Sequence, residues 1–207
     1  MPSALGHIAA AGSLAYTLGE KRSGALYWCA VLLLAVFPDF DVLSFKLGIP
    51  YSHPLGHRGF FHSIAFMVLT AGLFSSCIPA LRAFESNRLR LFITLSLVGL
   101  THPLLDAMTS GGLGVGLLMP LDMRRFFLPW RPIKVSPIGV REFLGLWGFR
   151  VLKSELAWIV LPSMLLAASA FAIRRSIDLF RNGFASRART VPDQEYEISS
   201  RIERKGQ

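Results

Sequence analysis

The sequence has little charge, few cysteines and no phosphate-binding signature, and each shortage excludes a class of protein. Only 17% of its 207 residues are Asp, Glu, Lys or Arg, against about a quarter in ordinary soluble domains. Its two cysteines, Cys29 and Cys77, lie inside apolar runs. That excludes a disulfide scaffold and a thiolate metal site, and leaves both as small hydrophobes. The glycines at 111, 112, 114 and 116 have no Lys-Ser/Thr pair after them and no clear strand before them. They read as a turn or re-entrant loop, not a nucleotide cradle. No heptad run or internal repeat is visible. With 52% hydrophobic residues the bulk of the chain is not disordered.

What is present points to lipid. The net charge of +9 and pI near 10.3 fit nucleic acid or an anionic membrane surface. Five apolar segments decide for the membrane: 3–19, 23–38, 63–81, 91–105 and 156–173. A span needs about 20 apolar residues. The third and fifth segments reach that range outright, and the second and fourth fall slightly short. The first lacks the basic start of a secretory signal and is kept as part of the mature chain. Pro79 and Pro162 are expected to kink or end their helices, and Pro103 to kink the fourth or start a fresh helical turn near His102. The predicted architecture is all-α, an integral membrane bundle of four to five helices over residues 1–175. Within it, residues 107–154 form an interfacial cap loop holding four prolines and seven basic residues, with Trp130 and Trp147 as interfacial anchors. Residues 176–207 are expected to be a polar basic tail, largely disordered.

The ionisable residues sit where bland packing does not put them. All five histidines lie in the first 102 residues, and Asp39, Asp41 and Asp106 close the second and fourth apolar segments. If the helices alternate up and down, His7, Asp39, Asp41, His57, His62, His102 and Asp106 all reach one pole. The short basic turns at Lys21–Arg22 and at 82–90 reach the other. Buried ionisable groups are costly in a membrane and mark interior sites. Each residue alone has an ordinary explanation: a packing histidine at His7, a turn aspartate at Asp39, a His102–Asp106 hydrogen bond. Their convergence across four segments favours a site. His53 reads as a loop surface residue, and Asp122 as a cap.

Imidazole and carboxylate donors without thiolates suit zinc first, with manganese or iron as alternatives. Seven candidates fit two metals sharing a carboxylate, or one metal with a full outer shell. Such centres activate water for phosphoester hydrolysis. Asp41 or Asp106, if not a ligand, is a candidate general base, and Arg58 a candidate phosphate clamp. The competing reading is a non-enzymatic membrane protein using the cluster for metal transport or proton relay. A third is a structural membrane protein with a hydrogen-bond network. The basic turns assign the pole with the cluster to the outer face, while the basic cap loop on the same side argues the other way.

The series His7, FPDFD (37–41), HRGFFHS (57–63) and HPLLDAMTSGG (102–112) resembles the YdjM-like family, described as LexA-binding, inner-membrane-associated, metal-dependent hydrolases. The resemblance covers about residues 1–175. It implies a multi-pass protein of the bacterial inner membrane, an all-helical fold distantly similar to the zinc phospholipase C and single-strand nuclease superfamily, and a divalent-metal hydrolase activity. It implies His7, Asp39, Asp41, His57, His62, His102 and Asp106 as the ligand set for one or two ions. Phosphoesters, and phospholipid headgroups especially, are the expected substrate. LexA association follows from the family description alone. No nucleic-acid-reading motif is present, so direct binding of nucleic acid is not expected.

Overall fold

The computed structural model describes residues 1–19, 24–77, 87–137 and 139–203, the side chains of residue 140 and of 183–203 excepted. The chain forms two compact units, Met1–Ala167 and Ala168–Gln207. The described secondary structure is helical, with α1 (Ala4–Leu18), α2 (Ala25–Val36), α3 (Ile64–Cys77), α4 (Arg88–Ala107), α5 (Leu146–Glu155) and α6 (Leu161–Glu203). Extended pairing among the described residues is limited to two isolated bridges, Thr109 with Ile133 and Val115 with Phe126.

The core joins α1, α2 and α4. Ala11 and Ala15 recur at helical spacing on α1 and meet Ala30, Val31, Leu34 and Ala35 of α2 and Leu91, Leu95 and Val98 of α4. Small residues let helix backbones approach, so dispersion contacts can hold the bundle where water supplies no hydrophobic drive. α3 packs along α4 through Met67 and Ala71, with Met67 facing Gly99. The helices start where their caps are. Ser3 Oγ accepts from Gly6 N on α1, and Asn87 Oδ1 accepts from Leu89 N and Arg90 N on α4.

Among the described residues, three stretches are long and apolar enough to cross a membrane: Ala25–Lys46, Arg88–Ala107 and Leu146–Asn182. The second and fourth segments therefore gain length relative to the sequence reading. α2 continues through a 3₁₀ turn, Phe37–Val42, and a last helical turn, Leu43–Lys46. α4 starts at Arg88 and runs through Pro103 to Ala107 as one helix, so no fresh helical turn begins near His102. The missing Pro N–H leaves one carbonyl without its usual partner while the turn stays helical. The third segment is helical over the 14 residues of α3, and its residues 78–81 lie outside the described residues. Pro79, residues 20–23 with the Lys21–Arg22 turn, and 82–86 of the second basic turn lie outside the described residues. Pro162 does not end its helix. A π-helical stretch, Leu156–Val160, precedes it and shifts the hydrogen-bond register ahead of the residue that cannot donate.

Residues 108–137 fold as an irregular loop tied to the site. Gly116 N donates to Arg58 O at 2.8 Å and Ile64 N to Leu117 O at 3.0 Å. Trp147 Nε1 donates to Val135 O at 3.0 Å, and Trp130 packs edge-on against Trp158. From residue 176 the chain continues α6 to Glu203. Its arginines, glutamates and alanines have good helix propensity, so the helix outlasts the apolar run that began it.

Candidate metal centre

The start of α1, the end of α2, the entry to α3 and the end of α4 meet at one pole. Ser3 caps α1 and puts His7 in its first turn, fully buried. The 3₁₀ turn after α2 places Asp39 and Asp41 side by side, since Pro38 near its start cannot extend the α2 hydrogen-bond ladder. A second 3₁₀ turn, Phe60–His62, delivers His62 just before α3. The i, i+4 pair His102 and Asp106 shares one face of α4.

His7, Asp39, His102 and Asp106 each present a donor atom, and these four atoms lie within 4.8 Å of one another. His62 joins them from the side. Its Nε2 is 3.1 Å from His102 Nε2, 3.5 Å from Asp39 Oδ1 and 3.2 Å from Asp106 Oδ2. His102 Nε2 is 3.4 Å from Asp39 Oδ1, and His7 Nε2 is 3.7 Å from Asp106 Oδ1. The His7 and His102 rings stack at 3.8 Å.

These residues fit a divalent cation on three counts. Ligands about 2.0–2.1 Å from a tetrahedral zinc stand about 3.4 Å apart; His102 Nε2 and Asp39 Oδ1 stand at 3.4 Å, with His7 Nε2 3.7 Å from Asp106 Oδ1 and 3.9 Å from Asp39 Oδ2. Both ring nitrogens of His7, both oxygens of Asp39 and Asp106 Oδ2 are buried without a hydrogen-bond partner, and such groups are costly unless something fills the gap. His102 Nδ1 lies 2.8 Å from the Ala35 carbonyl. Only a protonated Nδ1 can donate there, which leaves Nε2 as the atom facing Asp39 and Asp106. Carboxylates facing these nitrogens favour positive charge among them, whether a cation or a proton. His62 shows the same field: burial opposes its charge, yet Asp106, Asp39 and Asp41 hold its imidazole well above the ordinary histidine value.

Two of the seven expected ligands stand outside this inner group. Asp41 Oδ1 accepts from His57 Nδ1 at 2.6 Å and Oδ2 from Arg58 N at 2.9 Å, with His62 Nδ1 3.0 Å from Oδ2. Asp41 thus orients two imidazoles and a backbone. His57 is held by Asp41 beside Tyr51 and Phe45. Arg58, expected as a phosphate clamp, is turned inward and fully enclosed. Its Nη1 donates to Gly111 O at 3.0 Å, Nη2 to Thr109 Oγ1 at 3.1 Å, and its Nε is 3.4 Å from Asp106 Oδ2. Burying a lone guanidinium against a carboxylate is far cheaper than burying it alone, so it neutralises Asp106 in place of a substrate. His53 is exposed, and its Nδ1 accepts from Leu55 N.

A polar lid closes over this layer. Arg125 donates to the carbonyls of His57, Tyr51 and His53. Burial pushes its guanidinium below, and the Tyr51 phenol above, their ordinary values. Gly112, at φ +94°, is where a Cβ would strike Tyr51 Oη and Arg58 Nη1, so the glycine stretch serves close approach around Arg58. Sequence reasoning missed Thr109 and Glu155. Glu155 is buried and accepts from both Ser3 N and Ser3 Oγ. The available signal was its position, an acid immediately before an 18-residue uncharged run.

The chain matches the YdjM inner membrane protein family over residues 1–177. It is 41% identical over 178 residues to the inner membrane protein YbcI of Escherichia coli (strain K12), an alignment covering 84% of this chain and 100% of that protein. No solved structure matches the chain.

Proposed function

The chain belongs to the YdjM inner membrane protein family, and from that premise we propose that it is a multi-pass, metal-dependent hydrolase of the bacterial inner membrane. Its substrate in this reading is a phosphoester or lipid headgroup. The observation that carries the reading is the convergence of His7, Asp39, His102 and Asp106, with donor atoms mutually within 4.8 Å and largely unpartnered. The distant likeness to the zinc phospholipase C and nuclease superfamily, implied by the sequence resemblance, is part of the same proposal.

When bound, a divalent ion (zinc by preference, manganese or iron otherwise) supplies Lewis acidity and lowers the pKa of water. The chain's own residues do the rest. His7, Asp39, His102 and Asp106 hold the ion, and His62 adds a fifth donor. Arg58 and Thr109 fix Asp106, and the Ala35 carbonyl fixes the His102 tautomer. Asp41 has both oxygens spent on His57, His62 and the Arg58 backbone, so it positions rather than accepts protons. Asp39 has two oxygens that no hydrogen bond occupies, so the one not on the ion would be the better placed acceptor for a proton from water.

One observation favours metal transport or proton relay instead: His7, His62, His102 and Asp106 are fully enclosed. Against it, the ionisable groups gather at one pole, whereas a transport path needs them through the depth of the spans. LexA association enters only through the family description, and no direct contact with nucleic acid belongs to this reading.

Elemental mass spectrometry on protein purified in mild detergent tests the proposal. One or two equivalents of zinc or manganese, lost in folded His102→Ala and Asp106→Ala variants, is the expected result. Protein that stays metal-free after reconstitution with zinc and manganese removes the mechanism.

A further inference from the structure

Every acidic, basic or imidazole side chain on the four converging elements is buried. Residues 4–18, 25–45, 59–77 and 91–107 carry His7, Asp39, Asp41, His62, His102 and Asp106, and no other residue of these types. What the same stretches expose carries no charge, and beside the donors it is apolar. Leu5 stands two residues from His7, Phe40 next to Asp39, Ile64 two residues from His62 and Leu104 two from His102. Their exposures are 64%, 57%, 41% and 46%. A single exposed apolar side chain is ordinary on a soluble protein. Four elements with every ionic group inside and none outside make the pattern of a surface against hydrocarbon.

Helix length sets the depth. His102 and Asp106 follow Arg88, exposed at the start of α4, by 14 and 18 residues, about 21 and 27 Å at 1.5 Å per residue. The hydrocarbon of a bilayer is about 30 Å thick. With Arg88 at one surface, these two donors stop about 3–9 Å short of the other, and a tilt of α4 leaves them deeper. The stretch that continues α2 gives a similar answer from the opposite direction. Its first exposed charge is Lys46, seven residues past Asp39, about 10–14 Å further at 1.5–2.0 Å per residue. α1 agrees with both. Its 15 residues are about 22 Å long, too short to cross alone, and its capped start puts His7 at the level of the other donors.

We propose that the His/Asp centre lies below the membrane surface, within the hydrocarbon layer, and that bilayer lipid packs against Leu5, Phe40, Ile64 and Leu104 around it. Lipid is the occupant of this girdle because the stretches that carry Asp39 and His102 are themselves long and apolar enough to span, and the girdle continues their outer surface. Irregular backbone is tolerated at such depth where protein covers it. The turn before α3 is covered in this way, by the bonds from Gly116 N to Arg58 O and from Ile64 N to Leu117 O. Water, metal and substrate then have to descend below the headgroups to reach the donors. The placement goes beyond the hydrolase reading and does not depend on it.

Spin labelling of the full chain in phosphatidylcholine–phosphatidylglycerol vesicles tests the depth. The exposed Cys29 and Cys77 are changed to alanine, and single labels enter through Leu5→Cys, Phe40→Cys, Ile64→Cys and Leu104→Cys. Leu73→Cys, exposed further along α3, is the hydrocarbon reference, and Arg124→Cys the water reference. Collisions with oxygen, which concentrates in hydrocarbon, are compared with collisions with a water-soluble nickel chelate. Oxygen is expected to win by roughly tenfold at the four girdle positions and at Leu73→Cys, where no water is present, and to lose at Arg124→Cys. Nickel collisions that equal or exceed oxygen collisions at Phe40→Cys and Leu104→Cys overturn the proposal and put the centre at the surface. Circular dichroism checks the fold of each variant. Where a label beside a donor unfolds the chain, Phe37→Cys and Leu43→Cys, exposed on either side of Asp39, give the same reading. Elemental analysis of the same vesicles reads metal separately. Labels in hydrocarbon on a chain that takes up no metal would overturn the hydrolase reading and uphold the depth.

Discussion

Arg58 is fully enclosed, adopts φ 60°, and spends its guanidinium on Asp106, Thr109 and the Gly111 carbonyl. A non-glycine residue in the left-handed region carries strain, so the side chain's contacts must outweigh the backbone's cost. Removing them leaves Asp106 buried without its cation, a loss of about 3–5 kcal/mol for a broken buried pair. Arg58→Met is expected to melt far below wild type and to bind less metal. Arg58→Lys keeps the charge without the fork and should fall between. Thermal melts in detergent, read beside metal content, check both, and a wild-type melt for Arg58→Met removes the account. Asp39 and Asp41 make the companion contrast. Asp39→Asn takes a charged ligand and should abolish stoichiometric metal. Asp41→Asn disturbs only what orients His57 and His62, and outer partners of this kind are worth about 10–100-fold in affinity. Chelator competition separates the two, and equal losses would contradict the inner and outer assignment.

α1 carries no acidic residue in its first turn, although a carboxylate there would complement the helix dipole and its unpaired N–H groups. Glu155 of α5 supplies it across 152 positions of sequence. Gly6 permits the approach, since a Cβ there would sit 3.1 Å from Ile159 Cδ1 and 3.3 Å from the Glu155 carboxylate. Glu155→Ala leaves the Ser3 donors buried and unsatisfied, about 1–3 kcal/mol each, one residue before the helix that aims His7. The expected outcome is a lower melting temperature and an altered Co²⁺ absorption spectrum, with Glu155→Gln partly restoring both. A changed melt with an unchanged Co²⁺ spectrum would leave Glu155 a purely structural anchor. This contact also shows where sequence stops being informative. The convergence of four helix ends was legible because His and Asp residues punctuate otherwise uncharged runs. Glu155 was not, because nothing near it in the chain names Ser3. The inward turn of Arg58 was illegible too: its neighbours His57 and His62 marked a polar loop, but not the backbone conformation that points the side chain at Asp106. Nor did the sequence reveal that Pro103 would ride inside α4, since a single lost hydrogen bond is cheaper than breaking a helix packed on three others.

At the scale of the molecule, the same pole that holds the donors is where α1, α2, α3 and α4 are tied together. Packing elsewhere is apolar, with Ala11, Ala15, Ala30, Ala35 and Ala71 set among Tyr27, Val31, Leu34, Leu91, Leu95 and Val98. The polar end is a patch of buried acceptors whose mutual repulsion works against closure. If a cation binds there as proposed, it would join these four elements, and metal and global stability would be linked. An ion present at about 100 times its dissociation constant stabilises by about 2.7 kcal/mol. For a chain of this size that corresponds to about 5–10 °C in melting temperature. Chelation is therefore expected to lower the melting temperature of wild type by that order, and added zinc to restore it. Asp39→Asn and His102→Ala should melt low from the start and respond to neither treatment. The contrast matters more than the size of the shift, because chelators also affect detergent and lipid. A wild type whose melt ignores both chelator and zinc would mean that the acceptors are neutralised by protons, and the pole would then be a buried hydrogen-bonded network holding four helices without an ion.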